Sequence, residues 1–128
     1  MPVYAEIALK AMERVRNGEV PSKAWADSAG EVCPNSTSCQ KKGCPRNTFL
    51  ALIQENLITG IQSAKQLTRS EKNKKYAVTA VELLRKENGL ANDPVKLWKS
   101  VAGEGIHHNG QMHVVIALLN NGDIKDSK

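Results

Sequence analysis

Apolar positions along this chain recur at helical spacing, and no stretch sustains a period-2 alternation. From Pro2 to Asn17, Val3, Ile7, Ala11 and Val15 fall at i, i+4 steps, and Tyr4, Ala8 and Met12 widen the stripe. Pro2 suits a first helical turn and Asn17-Gly18 a C-terminal stop. A second, shorter helix is predicted over Ser22 to Ala29, with Pro21 before it, Trp25 as its anchor and Gly30 after it. Periodicity then disappears: Glu31 to Gly43 is rich in Ser, Thr, Asn, Pro and Gly and reads as a loop. Pro45 restarts a helix with Cys44 at its N-cap. Phe49, Leu50, Leu52, Ile53 and Leu57 follow, and Thr59-Gly60 closes the element.

Gln62 to Arg69 is polar, with only Leu67 to bury, and reads as a connector. Ser70 is a good N-cap for a helix that carries Tyr76, Ala77, Ala80, Val81 and Leu84 and stops at Asn88-Gly89. Asn92-Asp93-Pro94 combines a cap with proline at the first helical position and leads to Leu97, Trp98 and Val101, until Gly103 and Gly105 break the pattern. A last helix begins near Asn109 and places Met112, Val115, Ile116 and Leu119 on one face before Asn121-Gly122. Four helix ends look alike: RVRNGEV, LIQENLI, LRKENGL and ALLNNGDI each close with Asn and then an apolar residue. The plain account is four similar C-caps, each with a hydrophobic residue folding back on its helix. The alternative is an internal duplication with irregular spacing.

The pattern predicts an all-α chain: a compact single-domain bundle of five or six short helices over residues 1–124, with a frayed tail at 125–128. The predicted core is aliphatic: Ile7, Phe49, Ile53, Leu57, Val81, Leu84, Leu97, Trp98, Val115, Ile116 and Leu119. Composition changes this picture little. A length of 128 residues suits one domain able to bury a core without staples, and 41% hydrophobic with 24% charged residues is a globular balance, not a disordered one. No apolar run approaches the roughly 20 residues of a bilayer span, and the N-terminus has no basic segment followed by a continuous apolar one. Both observations point to the cytoplasm. There the three cysteines are expected as reduced thiols, and no membrane partner is expected. The net charge of +5 is compatible with anionic partners without indicating one.

Candidate chemistry gathers in two places. Cys33, Cys39 and Cys44 are spaced C-x5-C-x4-C, wider than the usual structural zinc pairs and unlike the familiar ferredoxin spacings. A zinc ion or iron–sulfur cluster would need His107 or His108 as a further ligand, and separate thiols packed as small hydrophobes are the plainer reading. No cofactor is therefore predicted. Cys44 stands out because it opens a helix with Lys41, Lys42 and Arg46 nearby, surroundings that activate a thiol, although a capping cysteine without chemistry outweighs that reading. All three histidines fall within His107-His108-Asn109-Gly110-Gln111-Met112-His113. His108 and His113 are five apart, not the i, i+4 that stacks ligands on one helix face, and Asn109 has a simpler role as N-cap. Lys65 to Lys75 is basic enough to face phosphates, yet it lacks interleaved aromatics and a loaded recognition helix. A solvated helix start is the plainer account, so nucleic acid is not a favoured partner.

Three segments, GCPRNTFLALIQENLITGI, KNKKYAVTAVELLRKENG and HNGQMHVVIALLNNGDI, resemble in that order a small bacterial protein family of uncharacterised function, over about Trp25 to Ile124. Gly43-Cys44-Pro45 and Asn109 with Gln111-Met112 match its pattern, whereas Cys33 and Cys39 have no place in it. The resemblance implies a bacterial, cytosolic, mostly helical domain and no activity. The expected function is a non-catalytic binding or regulatory module whose surface joins the Cys33–Arg46 loop to the His107–His113 segment. Cys44, Arg46, His108, Asn109 and Gln111 are its candidate binding residues, with a protein partner or a second copy as open alternatives. A metal or redox site built on Cys44 with neighbouring Cys or His is the second reading, and weak nucleic-acid binding through Lys65–Lys75 the third.

Overall fold

The computed structural model describes residues 1–63 and 65–126. Residue 64 of the predicted connector and residues 127–128 of the predicted tail lie outside that range. Six helices of nine to sixteen residues make the fold: α1 (Val3–Arg16), α2 (Pro21–Val32), α4 (Gly43–Gln54), α5 (Glu71–Lys86), α6 (Pro94–Ala102) and α7 (Gln111–Asn120). A five-residue helix, α3 (Thr37–Lys41), and a 3-10 turn over Asn88–Asn92 complete the set. The chain is all-α, and among the described residues the β geometry is one isolated antiparallel bridge between Ile58 and Ile124.

Several boundaries differ from the sequence expectation for identifiable reasons. Gly30 does not stop α2, which continues to Val32 because tertiary packing outweighs the roughly 1 kcal/mol that glycine costs inside a helix. The presumed loop at 31–43 contains α3, whose N-cap Ser36 accepts the Cys39 backbone N–H at 3.2 Å. Cys44 is not the N-cap of α4. Lys42 holds that place and Cys44 lies within the first turn, where its carbonyl accepts the buried Thr48 hydroxyl at 2.8 Å. The last helix begins at Gln111, and Gly110, not Asn109, caps it in a left-handed conformation (φ 89°).

The recurrent Asn endings prove to be one motif used three times. In α1, α4 and α7 the residue after the C-cap (Gly18, Asn56 and Gly122) is left-handed, with φ of 98°, 59° and 81°. In each case the following N–H bonds back across six residues: Glu19 to the Arg14 carbonyl, Leu57 to Leu52 and Asp123 to Leu118, at 2.9–3.0 Å. The fourth ending departs from it. Glu87 closes α5 and the chain turns into the 3-10 segment, which buries Leu90. Nor does every following apolar residue fold back, since Val20 stays 61% exposed.

Contacts at the helix ends settle how the bundle runs. Tyr4 at the start of α1 lies against Gly110 at the start of α7, and Arg16 at the end of α1 binds Asp123 just past the end of α7. Asn73 in the first turn of α5 meets Gln111, while Arg85 in its last turn donates to the Lys125 carbonyl at 2.8 Å. The Ile58–Ile124 bridge joins the segments leaving α4 and α7. Helices α1, α4, α5 and α7 therefore all point the same way. Such an arrangement needs a return path between each pair: α2 with α3, the segment 55–70, and the 3-10 turn with α6.

The core fills the space between these helices. Trp25 packs on Phe49 with ring centroids 5.2 Å apart, and the same continuous core holds Ile7, Met12, Leu52 and Leu97. Most of the predicted core is buried. Ile116 and Leu119 are only partly so, because α7 is rotated to bury Val114 and Leu118 beside Met112 and Val115, and Leu57 is partly so because the segment after α4 buries Ile58 in its place. Parallel helices also gather their carbonyl ends, which are partially negative, at one end of the molecule. Arg16 answers this by donating to Asp123 at 2.7 Å and to the Thr59 carbonyl at 2.9 Å. Asp123 is buried and also accepts from the Asn121 side chain at 2.8 Å.

Arg16→Ala leaves that buried carboxylate without its cation. Its urea midpoint should fall by the equivalent of about 1–3 kcal/mol at unchanged m-value. Lys23→Ala, which breaks only exposed pairs to Glu19 and Asp27, should change stability by less than about 0.5 kcal/mol.

Candidate functional site

At the opposite end the parallel helices present unpaired N–H groups, and side chains supply the acceptors. A hydrogen-bond chain runs through the starts of α4, α5 and α7. The Thr68 hydroxyl donates to Asn47 Oδ1 (3.0 Å) and accepts the Ser70 N–H (3.1 Å). Ser70 Oγ accepts from the Asn73 N–H (3.3 Å) and Nδ2 (3.0 Å), so the expected N-cap role of Ser70 holds. Gln111 Nε2 donates to Asn73 Oδ1 (3.3 Å), and Gln111 Oε1 accepts the Asn109 N–H (2.7 Å). Thr68, Asn73 and Gln111 are all buried, so each bond offsets a desolvation cost that an unpaired partner would leave standing.

His108 completes this end. Its Nε2 accepts the Met112 N–H at 3.0 Å, four residues on, and so caps α7 from outside the helix. A ring nitrogen that accepts must be unprotonated, so the neutral ring carries its hydrogen on Nδ1. Burial pushes the His108 pKa down to about 4, with smaller contributions in the same direction from His113, His107 and Lys42. Burial also lowers His113. The two rings meet edge to face at 4.9 Å, closer than their five-residue separation suggested, because His108 precedes the helix and bends over its first turn. His108 also lies 5.1 Å from Trp98, which contacts Tyr76 at 4.9 Å and donates its indole N–H to the Ile106 carbonyl at 2.7 Å.

The other candidates are distributed as follows. Lys42 stands over the Tyr4 ring at 5.6 Å, and its charge reaches His108, so the end of the cysteine segment and the histidine segment do meet around Tyr4. The expectation of three reduced thiols is overturned: Cys33 and Cys39 form a disulfide and Cys44 is free. Cys33 and Cys39 are therefore not thiolate ligands in this form. Among the described residues, no three His, Cys, Asp or Glu side chains, Cys44, His107 and His108 included, gather where an ion could sit. Arg46 and Cys44 are half-buried in the first turn of α4, and His107 is exposed. In the basic run, Lys74 pairs with Glu71 at 3.0 Å while Lys65, Lys72 and Lys75 are exposed.

A cleft of about 340 Å³ opens between the start of α1, the approach to α6 and the outer face of α7. Pro2, Ala5, Leu9, Ala91, Pro94, Ile116 and Ala117 give it apolar walls, and His113, Asn120 and Asn121 are its polar side chains. No carboxylate or basic side chain lines it apart from His113, whose pKa burial lowers, favouring the neutral ring. Of these residues only His113 belongs to the surface expected from the sequence, where Pro2, Pro94 and Asn121 read as helix-end residues and Ile116 as core. The available signal was small: alanines at 5, 91 and 117 are unremarkable singly and become a wall only when three separate segments meet.

Two outcomes follow from the geometry at the helix starts. His108 has a folded pKa near 4 against about 6.5 unfolded, so its neutral form stabilises the fold above pH 6.5 and that contribution is lost as pH falls toward 4. His108→Gln keeps an acceptor near Nε2 without the titration. Relative to it, the native chain should lose about 1–2 kcal/mol more between pH 6.5 and 4.5, a value reduced for the half-exposure of the ring and read from urea midpoints at each pH. Gly110→Ala places a methyl 2.6 Å from Tyr4 Cδ2 at a positive φ, and should destabilise by about 2–4 kcal/mol, measured by thermal unfolding.

No curated protein and no solved structure matches this chain. One family model does, described as a family of unknown function (DUF6979), and it matches residues 1–125. That span exceeds the stretch from Trp25 to Ile124 on which the resemblance rested. It takes in α1, whose Tyr4 and Arg16 tie both ends of the bundle together. The chain belongs to this family of unknown function.

Proposed function

We propose that the protein is a small binding module that takes an uncharged, largely apolar ligand in the cleft between α1, α6 and α7. The observation that carries this reading is the cleft itself: about 340 Å³, apolar walls and a few convergent polar groups, one of them a histidine with a lowered pKa. That combination is typical of small-molecule sites. A neutral ligand suits walls that are mostly apolar, since an ion there would lose hydration with few polar side chains to compensate it. Neutral His113 offers one donor and one acceptor, and the Asn120 and Asn121 amides offer further ones. Recognition would then come from apolar contact area, with orientation set by these groups. The same reading places the module in the bacterial cytoplasm; the family resemblance supports this, as does the finding that no described helix is long and apolar enough to cross a membrane.

The site differs from the surface suggested by the cysteine and histidine segments, of which only His113 lines the cleft. Cys44 and Arg46 belong to the first turn of α4, and His108, Asn109 and Gln111 to the bonds that cap and anchor the start of α7.

A screen of neutral apolar fragments by amide chemical-shift perturbation should give shifts confined to Leu9, Ala91, His113 and Ala117 with their neighbours. Ala117→Phe fills the cleft and should weaken the best fragment at least about tenfold, the equivalent of 1.4 kcal/mol, while the helical signal is kept. Fragments that bind as well to Ala117→Phe, or shifts that map elsewhere, would overturn the assignment.

A further inference from the structure

We infer that Cys33 and Cys39 form a reversible dithiol–disulfide couple that exchanges with small thiols of the glutathione class, and that its reduction releases the strap of residues 34–42. None of the residues that line the cleft takes part in this couple. Cys33 ends α2 and Cys39 lies in α3, so the bond closes a ring within one short surface segment. Helix α3 buries none of its residues, and a five-residue helix cannot sustain itself by backbone bonding alone. Besides the disulfide, it is held by the partial packing of Cys39 against the core, by the Ser36 cap and by Gln40 Nε2, which donates to the Cys33 carbonyl at 2.9 Å and the Pro34 carbonyl at 3.3 Å. The remainder of the fold does not need the cross-link, because a continuous core joins α1, α2, α4, α5, α6 and α7. Both cysteines are half-buried, within reach of a small thiol, and no acid lies between Cys33 and Lys42 to repel an anionic one.

The exchange balances as follows. A thiolate RS⁻ attacks one sulfur of the pair, the Cys33–Cys39 bond breaks, and the other cysteine leaves as a thiolate that takes up a proton. A second RS⁻ attacks the mixed disulfide, expelling the remaining cysteine and forming RSSR. Overall the two thiols are oxidised, and the protein gains two electrons and two protons. The strap runs directly into Lys42, which stands over Tyr4, and Tyr4 packs on Gly110 at the start of α7. Reduction would thus free Lys42 from the end of the bundle where α7 is capped.

The test equilibrates the full chain in glutathione buffers running from mostly oxidised to mostly reduced, quenches with an alkylating reagent and reads modification of each cysteine by mass spectrometry. Limited proteolysis and amide spectra are recorded on the same samples. The expected result is a reversible midpoint within the series, joint labelling of Cys33 and Cys39, and new cleavage confined to residues 34–42. Amide shifts at Tyr4 and Gly110 should accompany the cleavage, with the helical signal of the other elements unchanged. The Cys33→Ser, Cys39→Ser double variant should show the reduced pattern in every buffer. A pair that stays oxidised throughout is a structural staple, and a pair that never oxidises is no couple; either overturns the inference. So does reduction that leaves residues 34–42 as resistant to protease as before.

Discussion

The common direction of α1, α4, α5 and α7 is the constraint on which the rest of this structure depends. Helices that lie side by side and point the same way place four sets of unpaired carbonyls at one end and four sets of unpaired N–H groups at the other. Neither end is stable without partners, and the two ends are satisfied by different chemistry. The carbonyl end uses cations, with Arg16 and Arg85 reaching backbone oxygens just beyond the helices they follow or face. The amide end uses neutral acceptors, the side chains of Ser70, Asn73, Gln111 and His108, joined in part into a single chain. An imidazolium in the capping position could not accept the Met112 N–H and would oppose the dipole of α7, in keeping with a ring at position 108 whose charged form is disfavoured.

Parallel packing also governs how the chain is spent. Each of the first three of these helices must be followed by a return before the next begins, and only part of that return is itself productive. Helices α2 and α6 bury Trp25, Leu97 and Trp98, whereas α3 buries nothing and the segment 55–70 is tied down by Gln54 Oε1, which accepts from Leu67 and Thr68. The cleft arises from the same geometry. The outer face of α7 is covered along one edge by α1 and along the other by the approach to α6, and the small residues between leave room that larger ones would have closed.

Much of the fold was legible in the amino-acid order. Period-3.6 spacing located the six longer helices, and Ser70 and Asp93 marked two of their starts, where each side chain does accept a first-turn N–H. The recurrent Asn endings identified three left-handed caps. The site was much less legible. The histidine segment drew notice for its density of one residue type, and it does lie beside the cleft. What His108 does, capping α7 through Nε2, could not be seen in a spacing of five that looked wrong for any shared role. The cysteine spacing is silent in a different way: C-x5-C-x4-C carries no pairing signal, and the bond between Cys33 and Cys39 depends on α3 bending back toward the end of α2.

The sequence by itself determined where the six longer helices lie, where most of them stop, and that aliphatic residues make up most of the core, because these follow from local periodicity, caps and residue size; it did not show α3 or the central place of Trp25. Only the tertiary structure decided the common direction of the four helices, the rotation that buries Leu118 and leaves Ile116 facing the cleft, and the meeting of Lys42, Tyr4 and Gly110. The physical reason is range. A cap or a stripe is fixed by neighbours within a turn or two, whereas the bonds from Arg16 to Asp123 and from Gln111 to Asn73 join residues 107 and 38 positions apart, and nothing local to either partner announces the other.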